Sequence, residues 1–114
     1  MIKNIYSITP DPVQNIHDGE GTVNVSLVND RFASSLQFLH YTVLPPGATI
    51  GDHKHGNNEE LYIVLEGSGE MTMDGVSYPV VKGDVMINKP YGAHGLKNTS
   101  ATESLQLLVF EVAI

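Results

Sequence analysis

Short apolar runs, each ended after five to ten residues by glycine, proline, asparagine or a polar cluster, limit what this 114-residue chain can fold into. Apolar and β-branched residues recur in TVNVSLV from Thr22, SLQFLHYTVL from Ser35, ELYIVLE from Glu60 and GEMTM from Gly69. The pattern continues in VSYPVV from Val76, DVMIN from Asp84 and SLQLLVFEVA from Ser104. Turn compositions such as PPG at Pro45 and GNN at Gly56 separate the runs. Asp74-Gly75, between two alternating runs, reads as a two-residue hairpin turn that needs positive φ. No segment sustains a helical period over ten residues. Seven or more short strands at this spacing predict an all-β sandwich or barrel. The length suits one domain, residues 1–114, with no room for a second core.

Composition removes several functions. There is no cysteine, which excludes disulfides, thiolate catalysis and sulfur-ligated metals, so any metal must be held by nitrogen and oxygen. The formal net charge is −7, and a lone arginine, Arg31, accompanies five lysines. Nucleic acid binding rests on many such cations, and a polyphosphate clamp usually needs several arginine forks; neither is expected. No stretch reaches the roughly 18 apolar residues of a membrane span, and MIKNIYSITPDP lacks the apolar core of a signal peptide. A cytoplasmic protein away from membranes is the expectation.

Two strands are apolar on both faces. In ELYIVLE, Tyr62 and Val64 alternate with Leu61, Ile63 and Leu65; in the last strand Leu105, Leu107 and Val109 alternate with Leu108, Phe110 and Val112. A strand of a one-layer barrel would show one polar face to water. Either a second sheet of the chain or a partner subunit must cover the outside, and a homodimer is expected.

The chemistry centres on histidine. In an extended backbone, His53 and His55 of His53-Lys54-His55 would lie on one face. Glu60 follows, and by alternation shares a face with Tyr62 and Val64. A third imidazole, His94, lies in NKPYGAHGLKN. Three imidazoles and a carboxylate suit a borderline divalent ion with positions left open for water or substrate.

Order and spacing bring these pieces together, because the chain resembles the cupin superfamily. The first cupin motif is a glycine, five residues, His-X-His, three or four residues, a glutamate, six residues and a glycine. Here it reads Gly47, ATIGD, His53-Lys54-His55, GNNE, Glu60, LYIVLE, Gly67. The second motif is a glycine, five residues, a proline, one residue, a glycine, two residues, a histidine, three residues and an asparagine. Gly83, His94 and Asn98 keep that spacing, while Pro90 and Gly92 fall one place later than the motif. The resemblance implies a double-stranded β-helix, or jelly-roll barrel, with motifs at about 47–67 and 83–98. It also implies His53, His55, Glu60 and His94 as ligands of one divalent transition metal (manganese, iron, zinc, nickel or cobalt). Glu59 is the spare carboxylate, but Glu60 has the inward parity. Asn98 is expected to make a hydrogen bond across the barrel.

His40, in LHYTV, is expected to face inward with Phe38 and Thr42; His17, in NIHDGEGT, reads as a solvated loop residue. Tyr62, Tyr91, Met71 and Met73 read as core packing or pocket wall, and Lys54 and Lys89 as solvated. Cupins of this kind include dioxygenases, decarboxylases, lyases, isomerases and cyclases, and nothing beyond the ligand set selects among them. Three readings follow: a metal-dependent enzyme acting on a small organic molecule, a non-catalytic small-molecule or metal-binding module, and a metal-free isomerase or epimerase using His55 or Tyr62 as base.

Overall fold

Period-two alternation turns the apolar runs into strands, and the positions that alternate inward become the core. The computed structural model describes residues 1–114 and contains ten strands. They are β1 (Asp11–Gln14), β2 (Thr22–Asn29), β3 (Leu36–Leu44), β4 (Thr49–Lys54), β5 (Asn58–Glu66), β6 (Ser68–Met73), β7 (Val76–Val81), β8 (Val85–Asn88), β9 (Ala93–Asn98) and β10 (Leu105–Ala113). A six-stranded sheet, ordered β1-β2-β3-β10-β5-β8, faces a four-stranded sheet ordered β4-β9-β6-β7. All the pairings are antiparallel, and β10 sits between β3 and β5 at the centre of the larger sheet. This is the expected jelly-roll barrel.

The core lies between the sheets, where Val23, Leu44, Val64, Met71, Leu105 and Leu107 are almost fully buried. Asn98 stitches the layers together. From β9 its amide nitrogen donates to the Leu44 carbonyl at 2.9 Å and the Glu103 carbonyl at 2.8 Å, and its oxygen accepts from the Ser100 N–H. A buried amide is tolerable only when partnered in this way. The Asp74-Gly75 turn joins β6 to β7 with both residues at positive φ, as the hairpin reading requires.

The four-stranded sheet covers only the inner face of the six-stranded one. On the outer face, rows of apolar side chains run across the strands. Val85 pairs with Ile63, which pairs with Leu108, and Ile87 pairs with Leu61, which pairs with Phe110. Val85 and Ile87 are each 52% exposed.

The displaced Pro90 and Gly92 have a local consequence. The place where the second motif expects glycine is occupied by Tyr91, which adopts φ +59° and is 59% exposed. The Gly92 N–H closes the turn onto the Lys89 carbonyl at 3.0 Å. Left-handed backbone costs a side-chain-bearing residue about 1–2 kcal/mol. An exposed tyrosine returns little packing there. Replacing Tyr91 with glycine is therefore expected to raise stability by roughly 1 kcal/mol, read as a higher urea midpoint at unchanged m-value.

Candidate metal centre

Strand pairing assembles the site. His53 on β4 and His94 on β9 are direct cross-strand partners, so their imidazoles lie side by side on the inner face, with ring centroids 4.5 Å apart. Glu60 enters from β5 of the opposite sheet and is 9% exposed. One ligand-type atom from each of His53, Glu60 and His94 lies within 4.8 Å of the other two. His94 Nε2 and Glu60 Oε1 stand 2.9 Å apart, and the Tyr62 hydroxyl is 3.3 Å from the same nitrogen.

His55 lies one residue beyond the end of β4, outside the extended segment that would have fixed its direction. Its backbone N–H donates to the Gly92 carbonyl, and its Nδ1 is 2.6 Å from the Asn58 amide oxygen. An amide oxygen only accepts, so Nδ1 carries the proton and Nε2 keeps its lone pair. That Nε2 is buried without a hydrogen-bond partner, with the ring centroid 5.0 Å from that of His94. His53 is arranged alike: its Nδ1 donates to the Gly51 carbonyl at 2.8 Å, leaving Nε2 as an acceptor.

The charges follow from this crowding. Burial would raise the Glu60 carboxyl, but its hydrogen bond to His94 and the imidazoles of His94, His53 and His55 outweigh that and hold it below the usual carboxylate value. Burial holds His53 below the usual histidine range, and the rings of His17 and His94 push the same way. Tyr62, enclosed and facing Glu60, is pushed well above the ordinary phenol value and stays protonated. It is therefore a poor base, which weakens the metal-free reading that relied on it.

A cavity of about 400 Å³ opens over His53, Glu60 and Tyr62. His40, Phe38 and Thr42 line it together, as the parity of β3 requires, and His40 stacks on Phe38 at 4.2 Å. His17 departs from expectation. Its ring, though exposed, stacks on His53 with centroids 3.6 Å apart and planes 9° from parallel. The turn that holds it runs through Asn15, His17 and Asp18, all at positive φ. It docks so closely on β4 that a β-carbon at Gly51 would collide with the His17 carbonyl. No spacing rule signals such a contact. Tyr91, solvent-facing, is no pocket wall, whereas Tyr62 and Met71 are core.

Two further inward residues flank Glu60. Across the strands Glu60 pairs with Glu111 on one side and Asn88 on the other. Burial and the Glu60 charge raise the Glu111 carboxyl, against smaller opposing effects of His55 and His94. Asn88 is buried with neither amide atom partnered. Alternation with Val109 and with Met86 was the available signal for both.

The comparisons with known proteins identify the family. The cupin domain profile matches residues 40–111, so the chain belongs to the cupin family. It is 30% identical over 105 residues to a protein named oxalate-binding protein from Thermotoga maritima, covering 90% of this chain and 87% of that one. It is 26% identical over 77 residues to a 5-nitrosalicylic acid 1,2-dioxygenase from Bradyrhizobium sp, of whose length the match spans only 37%. The crystal structure of a predicted oxalate decarboxylase from Thermotoga maritima superposes with a TM-score of 0.95 at 28% identity, covering both chains fully.

The histidines set an acid limit on the fold. Burial lowers His40, despite an opposing pull from Glu60, and lowers His53 from the ordinary value of 6.5. The unfolded chain then takes up protons that the folded chain refuses, so stability falls as pH drops through this range. Glu60 adds a further loss at lower pH, below the usual carboxylate value of 4.5. Glu111, shifted upward, acts with the opposite sign, its contribution fading as pH rises through its folded pKa. In a metal chelator, the urea midpoint at pH 5.5 is expected to lie below that at pH 7.5. A flat or inverted trend would show that these imidazoles are not held neutral by the fold.

Proposed function

We propose that this cupin is a metal-dependent enzyme acting on a small organic molecule, with His53, His55, Glu60 and His94 holding one divalent transition metal. The buried lone pair of His55 Nε2 carries the reading. An acceptor with no donor beside it, at the edge of the cluster that His53, Glu60 and His94 form within 4.8 Å of one another, fits a cation better than solvent, although His55 itself lies outside that cluster. His53 Nε2 is likewise left free by the Gly51 carbonyl. The proton between His94 Nε2 and Glu60 occupies a place that a cation would take over.

A divalent ion with open positions polarises carbonyl or enolate oxygens, acidifies water or, as iron or manganese, handles dioxygen. The residues of the chain do the rest. Asn58 and the Gly51 carbonyl orient the two imidazoles through their Nδ1 protons. The Tyr62 phenol offers a hydrogen-bond donor beside His94. Eight of the cavity's 14 lining residues are hydrophobic and would reduce the hydration of a ligand's apolar part. The oxalate-binding relative supports a small-molecule ligand and keeps a non-catalytic binding module as the second reading.

The test is elemental analysis of the purified chain with oxygen-uptake assays on its iron, manganese and zinc forms. About one metal per chain is expected in the wild type, with at least tenfold weaker retention in His53→Ala and Glu60→Gln, because losing a ligand usually costs more than losing a neighbour that orients one. A wild-type chain that retains no metal would end this reading.

We also propose a homodimer formed through the outer face of the six-stranded sheet, whose apolar rows run from the half-buried Ile63, Leu108, Leu61 and Phe110 to the exposed Val85 and Ile87. Light scattering at micromolar concentration should give twice the chain mass, and Ile87→Lys should give the monomer. A wild-type monomer would contradict it.

A further inference from the structure

We propose that the cavity over His53 and Glu60 receives a molecule with a flat apolar body and at most one negative charge, chelating through oxygen, and that it disfavours small dianions. This rests on the metal reading above. The first observation is the charge of the walls. Of the cavity's 14 lining residues only Asp11 and Glu60 are charged side chains of fixed sign, both acidic, and no lysine or arginine is among them. Recognition of a dicarboxylate ordinarily uses guanidinium or ammonium partners. Here Glu60 and Asp11 offset the charge of a divalent ion and no cationic wall adds to it, so the second charge of a dianion gains less than it would beside lysine or arginine. Glu111, paired across the strands with Glu60, adds a third acidic side chain to the same inner row.

The second observation is shape. Eight of the lining residues are hydrophobic, and the cavity, at about 400 Å³, lies within the size range of sites for drug-sized ligands. A molecule as small as oxalate would leave most of it unfilled. Two stacked ring pairs form part of the wall, His17 on His53 at 3.6 Å and Phe38 on His40 at 4.2 Å, their planes 9° and 21° apart. Such surfaces favour a planar, partly aromatic body. The polar groups that remain, on His17, His40, Thr42 and Tyr62, are uncharged hydrogen-bonding partners suited to hydroxyl or carbonyl oxygens.

The test compares two probes, salicylate as a flat monoanionic chelator and oxalate as a small dianion. Each is titrated calorimetrically into the manganese-loaded chain, and metal content is measured before and after. Salicylate is expected to bind at least tenfold more tightly than oxalate. Leu27→Arg, at a cavity position that is 44% exposed, places a cation on the wall and should narrow that gap at least fivefold by strengthening oxalate. Equal affinities, an oxalate preference or binding of neither probe at millimolar concentration, with metal retained, would overturn the inference and leave the metal reading standing. An unchanged gap in Leu27→Arg would overturn its charge argument. A chain that holds no manganese would bring down the metal reading and this inference with it.

Discussion

One contact spans the two sheets at the heart of the barrel: His94 of the smaller sheet and Glu60 of the larger meet at 2.9 Å with His94 almost wholly buried. Neither group would be tolerated there alone, because an unpaired buried carboxylate or imidazole costs several kcal/mol. The surrounding structure is arranged to keep them paired. β4 and β9 carry His53 beside His94, β5 brings in Glu60 and Tyr62, and Asn98 locks the end of β9 against β3. The polar centre is thus a condition on the fold as well as the place where chemistry gathers.

Much of this was legible in the residues. Strand parity put Glu60, Tyr62 and Val64 on one face, and the cupin spacing linked His94 to His53 across four intervening strands. The both-sided apolar character of β5 and β10 matches an outer face on which Leu61, Ile63, Leu108 and Phe110 are half-buried. What the spacing left out is instructive. Extended geometry was assumed for His55, yet β4 ends at Lys54, and the ring is held by Asn58. The turn formers around His17 predict only a solvated loop residue. Its contact with His53 depends on a left-handed backbone and on the space left by Gly51, which no local pattern encodes.

The second motif illustrates how a sequence departure becomes geometry. The glycine position of that motif is left-handed in this chain, although tyrosine fills it. The turn conformation is imposed by the strands it connects, because β8 and β9 deliver Asn88 and His94 from opposite sheets. Spacing between Gly83 and His94 was kept, and the backbone absorbed the strain in an exposed turn whose Gly92 carbonyl accepts from the His55 N–H.

The cavity has a divided origin. Its floor residues, His53, Glu60 and Tyr62, lie inside the stretch 40–111 matched by the cupin profile, whereas Asp11, Val13, His17 and Leu27 come from the preceding segment. That leading ribbon, β1 and β2 with the turn between them, is an edge of the larger sheet and carries no candidate ligand. The cavity wall is therefore drawn from both stretches, with the candidate ligands in the second alone. Because His17 of the leading segment stacks on His53 and its turn packs against Gly51, changes there would reach the candidate ligand as well as the cavity wall.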